Sequence, residues 1–171
     1  MTPVLLFSAP SGSGKTTFIQ SFIPYLTKNG LKIGYIKHHH GEFYENEKKD
    51  TGKMLEAGAS KTLLIARDVI VTEEIPVKHS DLLRHYVNSR FSEYHLVIIE
   101  GFKENKEYPK IIVLGNPLRN SEGWFSERKQ DKNIIAIISN DNIYVPYPVF
   151  SFGDKEKLSD FIIEFFKLRE E

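Results

Sequence analysis

The run Ala9-Pro10-Ser11-Gly12-Ser13-Gly14-Lys15-Thr16 constrains the fold of this chain more than any other feature. It follows a short apolar stretch, Val4 to Ser8. It precedes apolar residues at Phe18, Ile19, Phe22, Ile23 and Leu26, the spacing of one helix face. A buried strand that feeds a glycine loop opening a helix is the context a phosphate-binding loop requires. Gly12 and Gly14 let the backbone curl so that the amides along Ser11 to Gly14 turn inward, and the helix N-terminus adds partial positive charge. Lys15 is placed to reach β and γ phosphates, and the Thr16 hydroxyl to take a magnesium position. The pattern usually opens with glycine, and Ala9 stands there instead. If that position needed a positive φ, the loop would be strained.

The rest of the chain alternates strand and helix signals. Leu31 to Ile36 reads as a second strand, and Lys37 to Gly52 as a polar, histidine-rich loop. Thr51 to Ala59 suits a short helix, and Thr62 to Ala66 and Val69 to Thr72 suit strands. Ser80 is a candidate N-cap for a helix carrying Leu82, Leu83, Tyr86 and Val87. His95 to Ile99, Lys110 to Leu114 and Asn133 to Ser139 are further apolar strands, with a polar loop from Gly115 to Asp131. Phe150 to Phe152 suits a short last strand. Asp154 is expected to cap a closing helix whose stripe is Leu158, Phe161, Ile162, Phe165 and Leu168. Pro24 should kink the first helix or free a turn, and Asn29-Gly30 should stop it.

This order predicts an α/β fold of the P-loop type, a doubly wound, mostly parallel sheet with helices on both faces. The 171 residues form a single nucleotide-binding domain in this reading. Its ligand would sit at the carboxyl ends of the strands, where Ser8, Lys37 and Glu100 fall.

Composition narrows the function classes. Lysine plus arginine balances aspartate plus glutamate, 23 against 23, which gives no overall basic footprint for nucleic acid or an anionic membrane. The absence of cysteine excludes disulfides, thiolate metal sites and cysteine nucleophiles. No basic leader or long apolar segment is present, so a cytoplasmic location is the expectation.

Three further groups fall near the expected site. Glu100 ends an apolar strand where an acidic residue would face magnesium or polarise an attacking water; the alternative is a solvent-facing carboxylate. Asp50 could contact magnesium water or accept a proton, or simply start the short helix with Thr51. Lys37 could neutralise phosphate charge. His38 and His40 would point the same way in an extended segment and could share a metal, hydrogen-bond a substrate or line a solvated turn.

Several stretches resemble the molybdopterin-guanine dinucleotide biosynthesis protein B (MobB) family of P-loop GTPases. They are the phosphate loop, Ile36-Lys37-His38-His39-His40, Asp50-Thr51 and Ala57-Gly58-Ala59. Glu100-Gly101-Phe102-Lys103, Pro109-Lys110-Ile111 and Ile138-Ser139-Asn140-Asp141 with Pro148 and Phe150 complete the set. The resemblance implies a homodimeric GTP-binding protein with weak, magnesium-dependent hydrolysis. Such a protein would assist a MobA-type guanylyltransferase that joins GMP to molybdopterin. It also implies roles for particular residues. Ser11, Gly12, Ser13, Gly14, Lys15, Thr16 and Thr17 would hold the phosphates. Lys37 and His38 would stand beside them, Thr16, Asp50 and Glu100 around magnesium, and Asp141 at the guanine, unless Asp141 is only a turn residue. An Asn-Lys-x-Asp guanine signature is absent, so GTP comes from the resemblance, and the residues themselves specify only a nucleoside triphosphate.

Two other readings fit the same residues. One is a small-molecule kinase using ATP, with Asp50 as base and a lid at Gly115 to Asp131 bringing Arg119 and Arg128 over the phosphates. The other is a binding module that presents nucleotide without turning it over.

Overall fold

The computed structural model describes residues 1–38, 53–54, 56–59, 61–65, 80–115 and 122–168. The elements are β1 (Val4–Ser8), α1 (Lys15–Thr27), β2 (Ile33–His38), β3 (Lys61–Ile65), α2 (Ser80–Arg90) and β4 (Leu96–Glu100). There follow β5 (Lys110–Val113), α3 (Glu122–Ser126), β6 (Ile134–Ile138), β7 (Val149–Phe150) and α4 (Lys155–Phe166). A seven-stranded sheet runs in the order β3-β2-β4-β1-β5-β6-β7, and every described pairing is parallel.

Parallel sheets are covered on both faces, which is why β1, β4 and β5 read as unbroken apolar runs. Alternate residues of β1 serve opposite layers. Leu5 and Phe7 pack with α1 and α4 residues such as Phe22, Ile23, Leu158 and Ile162, while Val4 and Leu6 join Leu83, Val87 and Phe91 on the α2 side. The chain leaves β1 for β2 and β3, returns to β4 beside β1, then crosses to β5 on the other flank. The loop after β1 therefore sits at the switch point, where the carboxyl ends of the strands open a crevice.

Gly34 in β2 is demanded by packing. A Cβ built there would lie 2.5 Å from Cδ1 of Phe91, whose ring is fully buried. Gly34→Ala is expected to destabilise the fold by about 1–3 kcal/mol through overpacking. Denaturant unfolding checks this, and an unshifted midpoint would show that the Phe91 ring moves aside freely.

Several expectations are corrected. The second strand spans Ile33–His38 and not Leu31 to Ile36, so Lys37 and His38 belong to the sheet and not to a loop. Pairing decides this extension: β2 is held between β3 and β4, with Lys37 opposite Leu64 on one side and Glu100 on the other. The Gly115 to Asp131 segment is not all loop, because α3 buries Phe125 against the sheet and sets Trp124 beside the same cluster. Asp154 precedes α4, but its carboxylate turns back to accept from Ser151 N and Oγ and from Lys157 Nζ instead of capping the first turn. Phe165 leaves the closing helix's apolar stripe and is exposed. Pro24 sits on the exposed face of α1, where the helix continues through it. Gly30, at φ 80°, follows the helix end as expected. The strand read at Val69 to Thr72 lies outside the described residues. Among those residues, no helix is long and apolar enough to cross a membrane.

Candidate functional site

At the carboxyl edge of the sheet, Ala9 to Thr17, Lys37, His38, Glu100, Gly101 and Lys103 line one cleft of about 490 Å³. The phosphate loop forms its floor. Gly12 and Gly14 take left-handed backbone, at φ 75° and 79°, and Gly14 is the N-cap of α1. Ala9 is buried and stands outside the positive-φ set, so the loop turns at its glycines and alanine at the first position costs it nothing. Gly115 backs the loop closely: a Cβ there would come within 3.2 Å of Ser13 Cα.

The chemistry of this floor suits an anion. No acidic residue of α1 itself lies in its first turn, and no side chain caps its amides, so those amides are left to face the cleft. The hydroxyl of Ser13 is buried and has no hydrogen-bond partner, as has that of Ser8 where β1 enters the loop. Orphaned polar groups of this kind fit a loop built around phosphate oxygens.

Glu100 is the hub. Its side chain is 4% exposed. Oε1 accepts from Lys15 Nζ at 2.5 Å and from Thr16 Oγ1 at 2.7 Å, while Oε2 accepts from the Tyr35 hydroxyl at 2.6 Å. Burial alone would push this carboxyl up. The Lys15 ammonium and the hydrogen bonds from Lys15, Tyr35 and Thr16 outweigh it and hold the group below the ordinary carboxylate value. Glu100 is therefore an anion at neutral pH, tied to the two loop side chains suited to phosphate and magnesium. The solvent-facing alternative is excluded.

Beyond Glu100 the chain folds sharply. Gly101 has φ 109°, and a Cβ there would sit 2.8 Å from the His38 carbonyl oxygen. Phe102 has φ 48°, uncommon for a non-glycine residue, and its ring stacks on His38 with centroids 3.8 Å apart. Lys103 then reaches the cleft wall. Its carbonyl accepts at 3.0 Å from Lys110 Nζ, a fully buried ammonium that also bonds Asp131. Burial pushes Lys110 below the usual lysine value, against the opposing pull of Asp131.

Of the residues singled out in the sequence, Ser11 to Thr17, Lys37, His38 and Glu100 meet in this cleft. Asp50, His40 and Arg119 lie outside the described residues. Asp141 stands just beyond β6, its N–H bonded to Ser139 Oγ, and is not among the residues lining the cleft. Arg128 is also absent from the lining. Its guanidinium lies over Trp124, 4.7 Å from the ring centroid, and pairs with Glu104 and Glu127, so nothing presents it to the phosphate loop as a lid arginine. Among the described residues no cluster of histidine and carboxylate side chains forms a metal site of its own. Sequence reasoning missed Tyr35 as a part of this site, and it marked Phe102, Lys103 and Lys110 only within the resembling stretches, without a role for any of them. A phenol in an otherwise apolar strand was the available signal, since a buried tyrosine hydroxyl finds a partner.

A parallel sheet whose first strand feeds a glycine loop, with lysine, threonine and a strand-end carboxylate converging above it, defines a P-loop protein of the nucleotide-binding type. The family model for molybdopterin guanine dinucleotide synthesis protein B matches residues 4–140. The molybdopterin-guanine dinucleotide biosynthesis adapter protein of Escherichia coli K12 is 32% identical over 170 residues, which cover 96% of this chain and 93% of that one. The solved structure of Bacillus subtilis MobB is 27% identical, has a TM-score of 0.58 and covers 99% of both chains. The hydrogenase maturation factor HypB of Archaeoglobus fulgidus, at 16% identity and a TM-score of 0.64 over 96% of this chain and 90% of its own, shares the fold. The chain belongs to the MobB family.

Proposed function

We propose that this chain is a GTP-binding accessory protein of molybdenum cofactor biosynthesis. It acts in the cytoplasm as a homodimer and assists a MobA-type guanylyltransferase in joining GMP to molybdopterin. The observation that carries the nucleotide half is the convergence of Lys15, Thr16 and Glu100 over the glycine loop. The adapter role is supported by relatives so named that match nearly the whole chain.

In this reading the amides of Ser11, Gly12, Ser13 and Gly14 and the hydroxyls of Thr16 and Thr17 surround the phosphates. Lys15 leaves Glu100 for the β and γ positions. Thr16 Oγ1 and Glu100 Oε1, with Asp50, are the oxygens suited to magnesium, which when bound neutralises phosphate charge and polarises coordinated water. Lys37 and His38, at the end of β2, add a cation and an imidazole on the far side of Glu100. Asp141 accepts from the guanine ring N–H and amine. No arginine is presented to the loop among the described residues. Hydrolysis by the protein alone is slow on this account, because an arginine finger contributes ~10³–10⁵ in rate.

Calorimetric titration with GTP and with ATP in magnesium buffer tests the reading. GTP is expected to bind at least about tenfold tighter, and Asp141→Ala to reduce that preference by about the loss of one good hydrogen-bond pair, again about tenfold. Tighter binding of ATP would overturn it.

A further inference from the structure

Tyr35 lies on β2, opposite Ile98 of β4, with its side chain in the layer that also holds α1 and with no exposed surface. From there its hydroxyl reaches along the sheet to Oε2 of Glu100, while Lys15 and Thr16 share Oε1. The two carboxylate oxygens thus have separate partners of different kinds. Lys15 and Thr16 are groups a triphosphate and its cation would claim. Tyr35 is a neutral donor, walled into the core on the other side of the carboxylate.

We propose that Tyr35 is the positioning residue of this site: its hydroxyl pins Oε2 so that Oε1 alone faces the phosphate loop, and it keeps Glu100 in place when Lys15 and Thr16 turn to ligand. The inference rests on the triphosphate reading of the cleft. Without Tyr35 a buried carboxylate that has surrendered Lys15 and Thr16 has no remaining protein donor among those described at its two oxygens. It would rotate to follow the lysine, bringing like charge toward the phosphates. With Tyr35 the rotation would have to break the buried bond that its hydroxyl donates to Oε2, and that cost opposes the movement.

The test uses the full chain with Tyr35→Phe, which removes one hydroxyl and keeps the ring in the core. Three readouts are taken: the thermal midpoint, the calorimetric affinity for GTP with magnesium and with EDTA, and kcat and KM for hydrolysis. The variant is expected to fold and to bind GTP in EDTA within about threefold of the parent. The tightening produced by magnesium should fall about tenfold, the worth of a hydrogen bond to a charged group, and kcat should drop more than KM rises. Because Tyr35 acts through Glu100, adding Tyr35→Phe to Glu100→Gln should change the magnesium-dependent tightening by less than about twofold.

An undiminished magnesium effect in Tyr35→Phe overturns the assignment. So does an equal loss with and without magnesium, which would mark a purely structural role, and so does full additivity with Glu100→Gln. A parent protein that binds no triphosphate refutes the site reading itself, and the positioning role with it. A parent that binds normally beside an unaffected variant refutes only the role of Tyr35.

Discussion

Replacing Lys15 with alanine is expected to weaken binding of magnesium–GTP by about a hundredfold or more. The loss has two sources. The phosphates would forfeit their main side-chain cation, a charge-assisted contact of the stronger kind. They would also meet Glu100 without its counterion, since its side chain is 4% exposed and Lys15 is the cation bonded to it. Breaking a buried pair by removing one partner is costly in its own right, so the thermal midpoint should fall as well. Calorimetry with GTP, read beside a melting curve, separates the two effects. Retained affinity in a folded Lys15→Ala protein would refute the assignment of the phosphate loop.

Glu100→Gln is the second large effect, with an opposite signature in binding. The amide keeps the volume and can still accept from Tyr35 or Thr16, but it removes the charge that holds Lys15 and that would face magnesium. Hydrolysis should fall about a hundredfold or more, as when an electrostatic group at the reacting centre is lost. Affinity for GTP in EDTA should hold or improve, because Lys15 no longer has to be detached from an anion. Single-turnover hydrolysis and titration in EDTA check the pair of outcomes. An equal loss in both would point to damage at the end of β4 and remove Glu100 from the chemistry.

The phosphate loop was legible because everything that defines it is local: an apolar strand, two glycines at left-handed positions, and a helix with apolar 3.6-residue spacing. The strands at the centre of the sheet were legible for a related reason, since burial on both faces leaves continuous apolar runs. What escaped was fixed by partners distant in sequence. Lys37 and His38 extend β2 because β3 and β4 continue beside them, not because of any apolar pattern of their own. The short helix α3 was hidden in a polar stretch, recruited through Trp124 and Phe125. The bond between Tyr35 and Glu100 spans 65 residues of sequence, and its one local trace is a phenol in an otherwise apolar strand, which does not name the partner. Resemblance had singled out the Lys37-His38 and Glu100-Gly101-Phe102-Lys103 stretches separately. The fold shows them to be one unit: Lys37 and Glu100 are register partners, Gly101 presses on the His38 carbonyl, and Phe102 covers the His38 ring.

The ion pair at the centre of the site also sets how binding should respond to its surroundings. A lone lysine in a loop would attract any passing anion and lose that attraction steeply as salt rises. Here the lysine already has an anion within the protein, so a triphosphate bound as proposed would displace a carboxylate instead of neutralising a bare cation. Capture then becomes an exchange of one negative partner for another. On leaving, a nucleotide bound in this way would return Lys15 to a partner already in place.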